Sequence, residues 1–152
     1  MNRCLYNVKK LMLCILALVG TAFAAPVSSD EVAVIAHPSV PVRQIDRAEL
    51  LDLYSGDVKE WHDGVPIVVL DLKPKSGVKD AFYKYLGKSS SRMKSIWMKN
   101  LLSGEGHPPE AQMSETEILR KVASTPGAIG YVNRSLVTDA VVELVIIPVE
   151  SK

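Results

Sequence analysis

The stretch PIVVLDLKPKSGVKDAFYKYLG, residues 66–87, switches from one hydrophobic period to another and so sets the class of structure. Pro66 to Leu70 is apolar, rich in β-branched side chains, and follows the Asp63-Gly64 turn. A run that short reads as a buried strand rather than a helix. After Lys73-Pro74-Lys75-Ser76-Gly77 the apolar positions move to Val78, Ala81, Phe82 and Tyr85, spaced i, i+3, i+4 and i+7, and Gly87 ends the pattern. That spacing predicts an amphipathic helix, so the order is strand, loop, helix.

On the N-terminal side, Val32 to Ala36 reads as an apolar strand closed by Pro38 and Pro41. Asp46 with Glu49 forms a capping-box start, Leu50, Leu53 and Tyr54 recur at helical spacing, and Gly56 can take the positive φ of a helix stop. On the C-terminal side, Ser89 to Ser91 can cap a helix whose Met93, Ile96, Trp97 and Leu101 form one apolar stripe, ended by Ser103-Gly104 and the Pro108-Pro109 break. At that spacing Trp97 reads as core rather than as part of a cofactor site. Ser114 with Glu117 is a second capping box, with Ile118, Leu119 and Val122 as the buried face and Thr125-Pro126-Gly127 as the stop. Ala128 to Val132 and Ala140 to Ile147 are the last strands; only Glu143 is polar in the second, the pattern of a strand covered on both faces. The whole predicts one α/β domain, a three-layer sandwich, over residues 25–152.

The start of the chain predicts export. Arg3, Lys9 and Lys10 precede the apolar run Leu11 to Val19, and Ala22-Phe23-Ala24 offers small residues at the spacing a signal peptidase reads. Residues 1–24 are therefore expected to be a cleaved signal peptide and the product to be periplasmic. The apolar run is shorter than the ~20 residues of a membrane-crossing helix, which makes a retained anchor the weaker alternative and predicts no stable membrane insertion after cleavage. Met12 and Leu13 are too bulky for lipoprotein processing at Cys14. Both cysteines, Cys4 and Cys14, leave with the segment, so the remaining 128 residues contain no cysteine and must be stabilised by their core alone.

Composition narrows the function classes. Of 152 residues, 47% are hydrophobic and 23% charged, ordinary globular usage. The 18 basic and 17 acidic residues become 15 and 17 once residues 1–24 are removed. No basic excess of the kind that neutralises a phosphate backbone is present, which argues against a nucleic-acid partner. His37, His62 and His107 have no metal-ligand spacing, and neither a nucleophile elbow, a Walker-type loop nor a His-Glu-x-x-His occurs; no enzyme, metal or cofactor is implied. Asp52, Asp57 and Asp63 fall at helix ends and turns and read as solvated.

The best candidate for chemistry is Ser76-Gly77. The first turn of the helix that follows offers unpaired N–H groups and the positive end of the helix dipole, where an anion fits. Gly77 permits close approach of the backbone, Ser76 adds a hydroxyl, and Lys73, Lys75 and Lys79 raise the local potential. Ser is also a favoured N-cap and lysine a common surface residue, so a purely structural reading stands beside the anion site.

Three stretches, in one order, resemble the phosphate ABC transporter substrate-binding proteins. Tyr54-Ser55-Gly56-Asp57-Val58-Lys59-Glu60-Trp61-His62-Asp63-Gly64 is similar to that family's F-x-G-K-I-x-x-W-x-D-G segment. Ser76-Gly77 falls at its Ser-Gly-Thr anion-binding turn, and Pro126-Gly127-Ala128-Ile129-Gly130-Tyr131-Val132 is similar to its P-G-A-I-G-Y-V segment. The resemblance implies one lobe of a type II periplasmic binding protein. It further implies non-covalent recognition of phosphate or another small oxyanion through Ser76, Gly77 and Val78 with Lys73 and Lys75, and an ABC transporter or other periplasmic protein as partner.

Two departures bear on the ligand. The family's arginine just upstream of Ser-Gly-Thr has no counterpart in Leu70 to Leu72, and Val78 stands where the threonine hydroxyl would be. Both weaken an oxyanion site, for which a charge-assisted bidentate contact is among the strongest available, and Lys73 or Lys75 replaces it only in part. Only one lobe is covered, so the face lining the cleft would be left open, to be buried by a second copy or another subunit. The alternative expectation is a protein-interaction module that has kept the lobe and lost the ligand.

Overall fold

A computed structural model of the protein describes residues 31–149; the expected signal peptide at 1–24 and the tether at 26–30 lie outside the described residues. The elements run β1 (Glu31–Ala36), α1 (Arg47–Ser55), β2 (Val68–Leu72), α2 (Gly77–Leu86), α3 (Ser90–Ser103), β3 (Glu110–Gln112), α4 (Glu115–Ser124), β4 (Ala128–Asn133), a 3-10 turn (Arg134–Leu136) and β5 (Val142–Pro148). They build one five-stranded sheet in the order β3-β2-β4-β1-β5. β2 runs parallel to β3 and β4, whereas β1 pairs antiparallel with β4 and β5, so the sheet is mixed.

Alternation along β4 shows how the layers form. Gly130 faces α4: a Cβ built there would lie 2.5 Å from the Ile118 side chain. The next residue, Tyr131, points to the opposite face, where its ring stacks on Phe82 of α2 at a centroid distance of 4.0 Å and meets Tyr54 of α1 at 6.2 Å. Helices thus cover both faces of the sheet, giving the three-layer α/β sandwich that the sequence pattern predicts. Tyr54, Phe82, Tyr131, Leu50, Leu70, Ile118 and Ile129 are all fully buried.

The capping signals are realised in detail. Asp46 accepts from the Glu49 N–H at 2.8 Å while Glu49 accepts from the Asp46 N–H at 3.0 Å, the full reciprocal box. Ser114 accepts from the Glu117 N–H, but the Glu117 carboxylate reaches one residue further back, to the Met113 N–H at 2.8 Å. Gly56 closes α1 at φ 82°.

Several expectations need correction. β2 begins and ends two residues later than the Pro66 to Leu70 run: its pairing with β4 starts at Val68, and Asp71 and Leu72 continue the ladder with β3. β5 is not covered on both faces, since Glu143 and Ile146 are exposed, and among the described strands it pairs with β1 alone, at the edge of the sheet. A register shift between Val34 and Ile35 makes room for an extra residue on β5 and turns Leu144 inward. The stripe of α3 is narrower than its spacing suggests, since Met93 is buried and Ile96 and Trp97 half-buried, whereas Leu101 is 44% exposed. The short β3 and the 3-10 turn carry no signal strong enough to predict.

Candidate functional site

Ser76 is the N-cap of α2, its extended backbone (φ −153°, ψ 161°) turning the chain into the helix. Its Oγ accepts from the Lys79 N–H at 3.2 Å and its carbonyl from the Asp80 N–H at 2.9 Å. The N–H groups of Gly77 and Val78, the first two of the helix, have no acceptor among the described residues. Gly77 is exposed, and a Cβ built there meets no atom within 4 Å, so the approach is open and nothing in the chain's own packing requires glycine. Val78 is half-buried against the core, and Lys73 and Lys75 are exposed. The five residues expected at the site do come together at the β2–α2 connection, but as an open helix start rather than an enclosed cavity.

Lys79 belongs elsewhere. Its Nζ donates to Asp71 Oδ2 at 2.9 Å and to the Leu72 carbonyl, and both side chains of this pair are mostly buried, at 14% and 17% exposure. The same Asp71 carboxylate accepts from the Tyr83 hydroxyl at 3.0 Å and from the Tyr131 hydroxyl at 2.5 Å. Tyr131 in turn accepts from the Leu72 N–H at 3.4 Å, and the Tyr54 hydroxyl donates to the Leu70 carbonyl at 3.0 Å. Asp71 at the end of β2 therefore ties together two turns of α2 and the middle of β4. It fixes where α2 begins relative to the sheet and pairs the charge of Lys79, the lysine in the first turn of the helix. This group is absent from the sequence-based reading. The signal for it was an acid between two leucines in an apolar run, because a carboxylate placed in a buried strand requires partners.

The phenols of this network titrate above the ordinary tyrosine range. For Tyr54, Tyr83 and Tyr131 burial is the largest cause, followed by the negative charge of Asp71. Below about pH 10 these hydroxyls are protonated in both folded and unfolded chains, so their contribution is complete there. As pH rises further the unfolded chain loses protons that the folded one keeps, and stability falls, at up to about 1.4 kcal/mol per pH unit for each phenol. We expect the denaturant midpoint to drop between about pH 10 and 12, and Tyr83→Phe to make that drop shallower. A midpoint independent of pH in this window would contradict the burial of these groups.

A larger groove, about 520 Å³, lies elsewhere, between α1, β2 and the segment after α3. Gly56, Lys59, Trp97, His107 and Pro109 line it, and neither Ser76 nor Gly77 does. Its lysine, Lys59, donates to the Glu105 carbonyl, and its aromatic wall, Trp97, packs over Gly56. Trp97 is thus a packing residue, as its spacing predicts. Among the described residues no group of three or more His, Cys, Asp or Glu is placed to hold a metal ion.

Comparison with known proteins agrees with this fold. A family profile described as "PBP superfamily domain" matches residues 6–143, and the chain belongs to that family. A phosphate ABC transporter substrate-binding protein from Clostridium perfringens, solved with bound phosphate, superposes with a TM-score of 0.63 at 25% identity. The match covers 76% of this chain and 44% of that one. An ABC-type phosphate transport receptor from Vibrio cholerae matches at a TM-score of 0.61 and 18% identity, over 76% of this chain and 45% of the receptor. PstS from Borrelia burgdorferi matches at 0.58 and 15%, over 76% and 46%. The chain spans less than half the length of each of these solved relatives, and the shared part is one lobe. No curated protein matches the sequence.

Proposed function

We propose that this domain is a non-enzymatic solute-binding lobe of the periplasm that takes phosphate or another small oxyanion at the start of α2, as an accessory of phosphate uptake or sensing. One observation carries the reading: the Gly77 and Val78 N–H groups have no acceptor among the described residues and stand at an open helix start, on a lobe whose solved relative from C. perfringens holds phosphate. Ser76 can donate its hydroxyl hydrogen to the anion while its oxygen caps the helix, and Lys73 and Lys75 supply positive potential.

The site is a weak one by construction. Neither an arginine fork nor the threonine hydroxyl is present, and Lys79 is held by Asp71. We expect phosphate to bind with Kd on the order of 0.1 to 10 mM, weakening with salt. Ser76→Ala should weaken it by about 1 to 3 kcal/mol, and Gly77→Val should abolish it by blocking the approach. Isothermal titration with phosphate, sulfate and carboxylates checks this, and unaltered binding in both variants would place the site elsewhere.

A second reading is a protein-interaction module that has kept the lobe without the ligand. The acid in the first turn, Asp80, favours it, since a carboxylate there repels an incoming anion and itself satisfies the helix dipole. Absence of heat with every anion at millimolar concentration would select this reading.

A further inference from the structure

α3 carries an outer face that the packing leaves unused. Met93 is its one buried residue, and the helix attaches to the body through Met93, through Trp97 packed over Gly56, and through Asn100, whose amide donates to the Ser55 carbonyl at 2.9 Å. Turning 100° per residue, the line opposite this attachment passes through Ser91, Ser95, Met98 and Leu102. Met98 is 49% exposed and Leu102 81%, and Leu101, on the flank, is 44% exposed. Met98 and Leu102, at i and i+4, form an apolar ridge that faces away from the core, with Leu101 exposed on its flank.

Charge brackets this ridge. On the helix, Lys94 lies on one side of the Met98-Leu102 line, and Arg92 and Lys99 lie on the other. None of these three side chains has a carboxylate partner among the described residues. Residues 81–104 carry five basic side chains and no acidic one, although the chain as a whole is nearly neutral. Long basic side chains flanking a ridge of Leu and Met suit an interface with apolar matter beneath and anionic groups at the rim.

We infer that the outer face of α3 docks reversibly on an anionic lipid surface, Met98, Leu101 and Leu102 entering the headgroup boundary while Arg92, Lys94 and Lys99 meet lipid phosphates. A second copy of this chain does not fit the face, because an isologous contact would set the same bases against one another. A protein partner is disfavoured by shape: three side chains on a convex helix are far below a standard interface, and the helix's aromatic residue, the usual anchor, is turned inward. Among the described residues no helix is long and apolar enough to cross a membrane, so the contact is peripheral.

The test is co-sedimentation of the full chain with phosphatidylglycerol-rich vesicles and with pure phosphatidylcholine vesicles. All variants are compared on that same chain, so that any contribution of residues 1–30 is common to them. The expected result is binding to the anionic vesicles that falls as salt is raised to roughly 0.5 M, and much weaker binding to the neutral ones. Lys94→Gln with Lys99→Gln should reduce binding on the order of 30-fold and flatten its salt dependence. Leu102→Ser with Met98→Ser should reduce binding while leaving the salt dependence in place. These side chains are exposed, so melting temperature should be unchanged in each variant and serves as the control. Equal binding by wild type and both double variants would overturn the inference, as would equal binding to neutral and anionic vesicles. Displacement by inorganic phosphate beyond that of sodium chloride at matched ionic strength would also overturn it, since it would move the contact to the start of α2. Specific binding to an acidic protein with no vesicle binding would replace the lipid by that protein.

Discussion

Asp71→Ala should destabilise the domain by about 3 to 5 kcal/mol, the range for removing one partner of a buried ion pair. The cause is what remains rather than what leaves. Lys79 keeps a mostly buried ammonium group without its counter-charge, and the Tyr83 and Tyr131 hydroxyls lose their acceptor. A loss of that size is comparable to the whole stability of a small domain. Asp71→Asn should cost less, because an amide oxygen can still accept from one phenol. Adding Lys79→Met to Asp71→Ala should restore part of the loss by removing the stranded charge, and this non-additivity separates the pair from two independent contacts. Chemical denaturation of wild type, these variants and the Lys79→Met single variant decides the matter: an Asp71→Ala variant within about 1 kcal/mol of wild type would show that the network is not held away from water.

The same residue marks where reading the sequence stopped short. Hydrophobic period identifies strands and helices well when one face is buried, so β1, α1, α2, α4 and β4 are legible from residues such as Leu50, Leu53, Ile118 and Val122. A carboxylate inside β2 breaks that period, and the strand then reads as ending at Leu70. Its partners Lys79, Tyr83 and Tyr131 lie 8, 12 and 60 positions further along the chain, separations that only the fold brings together. β5 illustrates the converse. Its composition is that of a covered strand, but the sheet order puts it at an edge, and order is a tertiary property that local apolarity does not encode. In α3 the apolar count exceeds what the core takes up, because Met98, Leu101 and Leu102 fall outside the face that Met93 defines. At the candidate site, the helix start and its cap were legible as local chemistry. The commitment of Lys79 to Asp71 was not, and it adds to the missing arginine and threonine in lowering the expected affinity.

Gly127→Ala is expected to be comparably severe, roughly 2 to 5 kcal/mol. Gly127 has φ +77°, which costs a non-glycine residue about 1 to 2 kcal/mol. In addition, a Cβ there would lie 2.3 Å from the Pro66 carbonyl oxygen and 3.0 Å from the Val65 side chain, and overpacking adds about 1 to 3 kcal/mol. The Pro66 oxygen is backbone and cannot rotate away. Moving residue 127 also disturbs its carbonyl, which accepts from Trp61 Nε1 at 3.0 Å and from the Val68 N–H at 3.2 Å, so the strain reaches both the buried indole and the start of the β2–β4 ladder. Gly130→Val should show the same sensitivity on the other side of the motif, since its Cβ would sit 2.5 Å from Ile118 and 3.3 Å from Val122. Thermal unfolding of the two variants checks both, and a melting temperature within a few degrees of wild type for Gly127→Ala would mean that Val65 and Pro66 yield easily. The Pro126 to Val132 segment and Trp61 lie in two of the three stretches that resemble the phosphate-binding family, and here they lock a strand, a turn and a core aromatic together, Tyr131 touching α2 through Asp71 and Phe82 rather than at the Gly77 and Val78 N–H groups. The packing of the lobe thus accounts for those stretches, and the case for an anion rests on the Gly77 and Val78 N–H groups, which have no acceptor among the described residues.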